Sequence, residues 1–275
     1  MGWDWGFEME LLAALVLGVV EGLTEFLPVS STGHMLLVMP VLGVDDQHPT
    51  WATLLWVSQV GAILAVILYF WRDLWSRMFA RPARRWQDHL LTKLVVAMVP
   101  TVVLGVLLHK RLEAWLDNPP SVAIALLIGA AIMEWIDRAY RRETPQRVED
   151  ITLTQAALIG AAQCIAMWPG ISRSGASIMT GMVLGLTPRV ATEFSFYLAI
   201  PTLLAAGAKK LADNHHDLTS DRAALILVAT TAAFLAALAV VGPFLRFVQR
   251  RRFRPFVVYR VVLGATVLGY WLLAR

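Results

Sequence analysis

The 275-residue sequence contains little charge, a single cysteine and no basic residue ahead of its first apolar run. Charged residues make up 16% of the chain, whereas soluble domains carry roughly 25%. The lone Cys164 excludes an internal disulfide and any metal site built from several cysteines. Because the first ten residues carry acidic and no basic side chains, we do not expect a cleavable signal peptide, and we expect the first helix to remain in the mature protein.

Apolar residues are what the chain has in abundance. They make up 57% of it, and the mean hydropathy is +0.61. This composition predicts lipid as the solvent for most of the chain. The net charge of +4 does not indicate a nucleic-acid partner, because Lys and Arg cluster in short segments between apolar runs, as is typical of membrane proteins.

Six apolar runs are long enough to cross a bilayer, whose hydrocarbon core of roughly 30 Å takes about 20 helical residues. The runs lie at 50–71, 90–110, 120–140, 189–211, 221–246 and 255–274. They predict an all-α polytopic membrane protein with six transmembrane helices, in which residues 1–275 form a single membrane domain.

Two further apolar regions, 8–42 and 152–186, are each interrupted by a polar turn. The first is broken at Pro28 and the second at Pro169, so that neither arm of either region is long enough to span. A bilayer tolerates non-helical backbone only where it is buried in protein or lines a water-filled cavity. We therefore predict two re-entrant helix hairpins at these ranges.

The basic residues predict the orientation of the helices. Six Lys or Arg lie in 72–93, four in 138–147 and five in 246–254. By the positive-inside rule these segments are cytoplasmic. If each hairpin returns to the side from which it entered, all three segments fall on one face, and the N-terminus and the Asp45–Asp46 loop lie outside.

The two interrupted regions contain related motifs. Pro-x-Ser-Ser-Thr-Gly at 28–33 matches Pro-x-x-Ser-Arg-Ser-Gly at 169–175 with a single insertion, and three apolar runs follow each motif. The halves therefore predict an inverted-topology repeat, with repeat one at 8–140 and repeat two at 152–274. In such repeats the broken segments meet near the midplane, where we expect the functional site.

Glu21 and Glu25 are four residues apart, so on a helix they share one face. Two carboxylates in a low-dielectric setting repel each other, so their charge must be neutralised by a metal ion, an arginine or a proton. Because carboxylate oxygens suit Mg²⁺ or Ca²⁺, we predict that this pair binds a divalent cation. The alternative is that one or both are protonated and hydrogen-bonded inside a helix bundle.

Hydroxyl groups and one arginine follow the two prolines. Helix N-termini favour anions, and a guanidinium fork fits phosphate oxygens. We predict that the two turns bind a doubly phosphorylated group; the candidates are Ser30, Thr32, Ser172, Arg173, Ser174 and Ser177. Helix capping is the alternative for the serines, and an ion pair with one of the two glutamates is the alternative for the arginine.

His34 completes the reactive set, because an imidazole can accept a proton, donate one or attack phosphorus near neutral pH. Considered alone, a histidine near a helix start is equally well explained as a structural residue with satisfied hydrogen bonds and as a catalytic residue. The candidate catalytic residues are Glu21, Glu25, Ser31, His34 and Arg173. We favour in-line attack by Ser31 assisted by His34 and Glu25, while attack by His34 or by water stays open.

The segments Glu21-Gly-Leu-Thr-Glu-Phe-Leu-Pro-Val-Ser-Ser-Thr-Gly-His34 and Pro169-Gly-Ile-Ser-Arg-Ser-Gly-Ala-Ser177 closely resemble the two signatures of the undecaprenyl-diphosphate phosphatase family linked to bacitracin resistance. The resemblance covers nearly the whole chain; Ser177 stands where the second signature usually ends in threonine. It implies hydrolysis of undecaprenyl diphosphate with a divalent cation, which recycles the lipid carrier for cell-wall synthesis. It also implies a multi-pass protein of the bacterial inner membrane with its site open to the periplasmic side.

A polyprenyl-phosphate transporter is the alternative function, because inverted repeats with broken helices also build transporters. The Glu, Ser, His and Arg set favours a phosphatase, since carrying a lipid needs less reactive groups. The expected partners are the lipid diphosphate and the bilayer. A homodimer stays open, as do the identity of the metal and any flipping of lipid.

Overall fold

The computed structural model describes residues 6–45, 48–80, 86–116, 118–142, 144, 146–214 and 219–273. Within these ranges the chain is helical and contains no strand. The α-helices are Phe7–Thr24 (α1), Ser31–Val41 (α2), Pro49–Tyr69 (α3), Trp71–Trp75 (α4), Leu90–Leu116 (α5), Pro119–Ala139 (α6), Leu153–Gln163 (α7), Arg173–Val183 (α8), Pro188–Asp213 (α9), Ser220–Arg250 (α10) and Arg254–Leu273 (α11).

Among the described residues, six helices are long and apolar enough to cross a membrane: α3, the Leu90–Leu107 part of α5, α6, α9, α10 and α11. Each of them overlaps one of the six apolar runs in the sequence. The prediction of an all-α protein with six spanning helices is therefore confirmed. The predicted outside face falls partly beyond the described residues, which include neither 1–5 nor Asp46.

The two interrupted regions are each built from a pair of helices with a break between them. In the first, α1 ends at Thr24 and α2 begins at Ser31. In the second, α7 is followed by a 3₁₀ turn, Cys164–Met167, and α8 begins at Arg173. Helices α7 and α8 have 11 residues each, or about 16 Å, which is roughly half of the hydrocarbon core. The re-entrant path and the inverted repeat stay predictions.

The chain divides into two compact units, of which the first comprises 1–26, 31–69 and 199–242. Its core joins α1, α2, α3 and α10 through buried side chains such as Leu17, Met39 and Leu54. Helix α1 approaches α10 closely at Gly18 and Gly22. A Cβ added at either glycine would lie 2.2 Å from a carbonyl oxygen of α10, so only glycine permits this backbone contact.

The second unit comprises 27–30, 70–198 and 243–275. Helix α5 packs against α7, where a Cβ on Gly160 would lie 2.0 Å from the Ala97 carbonyl oxygen. Helix α6 packs against both α8 and α11. Buried Asp137 near the end of α6 accepts hydrogen bonds from Arg141 and from the Phe253 backbone N–H, both at 3.0 Å. These bonds fix the end of α6 against the junction between α10 and α11.

Candidate active site

The first candidate group lies at the end of α1 in the first unit. Glu21 is fully buried, and Glu25 is 7% exposed. The Glu25 backbone N–H donates to the Glu21 carbonyl at 2.9 Å, and Glu25 has helical dihedral angles (φ −59°, ψ −40°). The helix therefore continues as far as Glu25, and the two carboxyl groups lie one turn apart on the same helix, as the spacing predicts.

Ser31 and Glu25 are in direct contact. The Ser31 hydroxyl donates to Glu25 Oε2 at 2.5 Å, and both side chains are buried. A carboxylate that accepts the hydroxyl proton orients the serine oxygen and can take that proton when the oxygen attacks. The pair therefore has the arrangement of an activated nucleophile with its base.

His34 lies one turn after Ser31 on α2, and it is also buried. Residues three apart on a helix point to the same side. The first unit thus brings Glu25, Ser31 and His34 to the facing ends of α1 and α2. This group consists of one carboxylate, one hydroxyl and one imidazole, which together can move protons and make a covalent bond.

The second candidate group lies in the second unit, at the start of α8. Arg173 is the first residue of this helix, is partly exposed, and its Nη1 donates to the Ser195 carbonyl at 3.4 Å. The preceding residue, Ser172, caps the helix by accepting from the Gly175 backbone N–H at 3.1 Å. A helix N-terminus with an arginine on its first turn favours an anion.

The serines of this group also bind other parts of the protein. Ser174 donates to the Leu27 carbonyl at 2.9 Å and Ser172 donates to the same oxygen at 3.3 Å. Ser177 lies 2.6 Å from the Ser195 hydroxyl. Ser172 therefore acts as a helix cap, which was the alternative to phosphate binding. Ser172 and Ser174 also bind the Leu27–Ser30 turn of the first motif through the Leu27 carbonyl. A role for these hydroxyls in phosphate binding stays a prediction.

The Leu27–Ser30 turn itself has an unusual backbone. Ser30 has φ +70°, in the left-handed region that a residue other than glycine seldom adopts and that costs about 1–3 kcal/mol. It is the one described residue other than glycine with a positive φ. Such conformations concentrate at functional sites, and this one directly precedes Ser31.

Glu21 and Glu25 are predicted to bind a divalent cation, and their surroundings can be compared with what such a cation requires. Among the described residues, no group of three or more His, Cys, Asp or Glu side chains could hold a metal ion. Two carboxylates one turn apart are nevertheless oxygen donors of the kind that Mg²⁺ and Ca²⁺ take, and Mg²⁺ in particular keeps waters or substrate phosphates as its other ligands. The donor chemistry fits a cation that the substrate helps to hold.

Arg260 is a residue that the site prediction missed. It is 1% exposed, and its guanidinium donates to four backbone carbonyls at 3.1–3.2 Å. Two of these carbonyls belong to Pro28 and Gly170, in the turns of the two motifs. The sequence could have identified Arg260, because it is an arginine inside the apolar run 255–274 and charged residues within membrane spans are usually functional.

Comparison with known proteins places these motifs in a family. The family described as bacitracin resistance protein BacA matches residues 14–266. The undecaprenyl-diphosphatase of Novosphingobium aromaticivorans is 40% identical over 270 residues, which are 96% of this chain and 99% of that protein. The undecaprenyl-diphosphatase of Clostridium tetani is 40% identical over 262 residues, covering 94% of this chain and 95% of that protein.

A third relative, undecaprenyl-diphosphatase 2 of Paramagnetospirillum magneticum, is 43% identical over 255 residues, which are 93% of this chain and 97% of that protein. All three relatives are matched over almost their whole length. Their names describe a diphosphatase, so the comparisons do not favour the transporter alternative.

Proposed function

We propose that this chain, which belongs to the bacitracin resistance protein BacA family, hydrolyses undecaprenyl diphosphate to undecaprenyl phosphate and inorganic phosphate. Three relatives matched over almost their whole length are named as undecaprenyl-diphosphatases. The structural observation that supports the proposal most directly is the 2.5 Å hydrogen bond from the buried Ser31 hydroxyl to Glu25.

In the first step, Ser31 Oγ attacks the terminal phosphorus of the diphosphate, and Glu25 accepts the hydroxyl proton. The bond from that phosphorus to the bridging oxygen breaks, and the bridging oxygen leaves with undecaprenyl phosphate. In-line displacement of this kind depends on placing the nucleophile and on neutralising charge. The contact between Ser31 and Glu25 supports this step, because the Ser31 hydroxyl donates to the carboxylate that would accept its proton.

In the second step, water attacks the phosphorus of the phosphoserine, the bond from that phosphorus to Ser31 Oγ breaks, and inorganic phosphate leaves. His34 accepts a proton from this water and releases it to solvent, while Glu25 returns its proton to Ser31 Oγ. His34 fits this role because an imidazole changes its protonation state near neutral pH, and because it lies one turn from Ser31 on α2. Direct attack by water, with Glu25 as base and Ser31 as a hydrogen-bond donor, is the competing route.

Arg173 and the N-terminus of α8 bind the diphosphate and neutralise its charge in this proposal. The guanidinium is partly exposed at the first turn of α8, and its planar fork can donate charge-assisted bonds to phosphate oxygens. Glu21 and Glu25 would hold a divalent cation, which when bound stabilises negative charge on the phosphate oxygens.

We further propose that the protein lies in the bacterial plasma membrane with its site open to the periplasmic side. The basic segments 72–93, 138–147 and 246–254, which the positive-inside rule assigns to the cytoplasm, support this orientation of the helices. The opening of the site to the periplasmic side is what the resemblance to the phosphatase family implies. The substrate's polyprenyl chain would then stay in the bilayer while the diphosphate reaches the site. A homodimer stays open.

The test is phosphate release from undecaprenyl diphosphate by detergent-purified protein, in which a membrane with two sides is absent. The intact chain should release inorganic phosphate, and Ser31→Ala should abolish most of that release. Ser220→Ala is the matched control, because Ser220 is an exposed serine at another helix start. The proposal is wrong if the intact, folded chain releases no phosphate, and the serine route is wrong if Ser31→Ala keeps its rate.

A further inference from the structure

Arg260 combines nearly complete burial with an unusual set of acceptors. Its Nε donates to the Leu126 carbonyl, its Nη1 to that of Pro28, and its Nη2 to those of Ala125 and Gly170. All four acceptors are neutral backbone oxygens. Burial of a guanidinium carries a large desolvation cost, so an arginine at this place is poorly explained by stability alone.

The acceptors connect a rigid element to the two turns. Ala125 and Leu126 lie within α6, whereas Pro28 and Gly170 lie outside any helix. Pro28 precedes Ser31 by three residues, and Gly170 precedes Arg173 by three residues. The Arg260 guanidinium therefore binds one backbone carbonyl in each motif, and each of these carbonyls lies three residues before a residue of the candidate site.

We infer that Arg260 is a positioning residue for the reaction, which fixes the backbone of the two motif turns against α6. This inference rests on the proposed function. Arg260 itself does not contact the substrate in this account. It holds the backbone of the two turns at Pro28 and Gly170, which precede Ser31 and Arg173 in the chain.

The planar fork of arginine is what this role requires. Its nitrogens lie in one plane and point in fixed directions, so they can serve four acceptors from three segments at once. A lysine ammonium keeps the charge but has three donors on a single atom. Lysine can therefore satisfy part of the carbonyl set without holding both turns in register.

Gly129 of α6 provides the space for the guanidinium. A Cβ added at Gly129 would lie 2.1 Å from Arg260 Nη2. Because Nη2 is the atom that bonds both Ala125 and Gly170, an alanine here would displace the guanidinium without removing its charge. Gly129→Ala thus perturbs the hydrogen bonds of Arg260 without changing Arg260 itself.

The experiment measures kcat and KM for undecaprenyl diphosphate in Arg260→Gln, Arg260→Lys and Gly129→Ala. Misplacing catalytic groups by about 1 Å costs on the order of 100-fold in rate. We expect about this loss of kcat in Arg260→Gln and a smaller loss in the other two variants, with KM nearly unchanged in all three. Arg254→Gln and Gly269→Ala are the controls, because Arg254 is exposed on the same helix and nothing lies within 4 Å of an added Cβ at Gly269.

Hydrogen exchange supplies a readout that does not depend on turnover. Peptides covering 27–34 and 169–176 should exchange faster in Arg260→Gln and in Gly129→Ala than in the parent chain, while peptides from α3 should not change. A purely structural role would instead lower the melting temperature and raise exchange throughout the chain, with kcat preserved in the folded fraction. If Arg260→Gln does not fold, Gly129→Ala decides between these results.

The outcomes separate this inference from the proposed function. Absence of phosphate release by the parent chain contradicts the function, and the exchange data then still report whether Arg260 holds the turns. An active parent together with a folded Arg260→Gln or Gly129→Ala variant of unchanged kcat overturns the inference and leaves the function intact.

Discussion

Replacing Glu25 with glutamine tests the proton acceptor of the proposed reaction with little change in shape. Glutamine keeps an oxygen that can accept from Ser31, but it has no charge and cannot take the hydroxyl proton at neutral pH. A hydrogen bond to a charged group contributes about 1.5–3 kcal/mol and a neutral one about 0.5–1.5 kcal/mol. The expected loss of stability is therefore about 1 kcal/mol, which shifts the melting temperature of a chain of this size by only a few degrees.

The expected effect on rate is much larger. General base catalysis contributes about 100- to 10,000-fold, or about 3–5 kcal/mol of activation free energy. Phosphate release by detergent-purified Glu25→Gln should fall by this factor, and Glu25→Asp should fall less because it keeps the charge. Glu8→Gln is the matched control, because Glu8 is exposed on the same helix. A folded Glu25→Gln variant with kcat within about threefold of the parent refutes the assignment of Glu25 as the base.

Three further results are expected. Arg173→Lys should lower kcat/KM by about 10- to 150-fold with an unchanged melting temperature, because one charge-assisted bond to phosphate is lost; a destabilised variant with normal kcat would instead make this arginine structural. Chelation should abolish phosphate release, and Mg²⁺ or Ca²⁺ should restore it; full activity after exhaustive chelation would limit the paired glutamates to proton transfer. Cysteines at Asp45 and Arg251, in a Cys164→Ser background, should react with an impermeant thiol reagent from opposite sides of the membrane, and labelling from one side would contradict the predicted topology.

The spanning helices could be predicted from the sequence because hydrophobic length is a strong and local signal. Each of the six runs became a helix of sufficient length. The breaks were equally local, since Pro28 and Pro169 interrupt apolar runs, and α2 and α8 begin at Ser31 and Arg173. The spacing of Glu21 and Glu25 also placed them correctly on one helix, because a four-residue separation has a fixed meaning in helical geometry.

The contact between Ser31 and Glu25 could not be predicted in the same way. It depends on how six residues turn between two helices, and that turn includes Ser30 in a backbone conformation that serine seldom adopts. The capping role of Ser172 illustrates a related difficulty. The same hydroxyl type serves a helix end or a ligand equally well, so its residue type does not decide between the two.

Arg260 shows that contacts between residues far apart in the chain limit what can be predicted from the sequence. Its bond to Pro28 joins residues 232 positions apart, and no local pattern encodes such a pair. The sequence offered only an unexplained charge inside an apolar run, which indicates importance without indicating a partner. The acceptors could be identified only once the turns and α6 were placed around it.

In the proposed reaction the chain transfers the terminal phosphoryl group of undecaprenyl diphosphate to water, and an isotope experiment tests this transfer most directly. Detergent-purified protein would turn over the substrate in water enriched in oxygen-18, and mass spectrometry would measure the label in both products. Attack at the terminal phosphorus predicts labelled inorganic phosphate and unlabelled undecaprenyl phosphate. Label in the lipid product, or no phosphate above the level of the Ser31→Ala variant, would contradict the account.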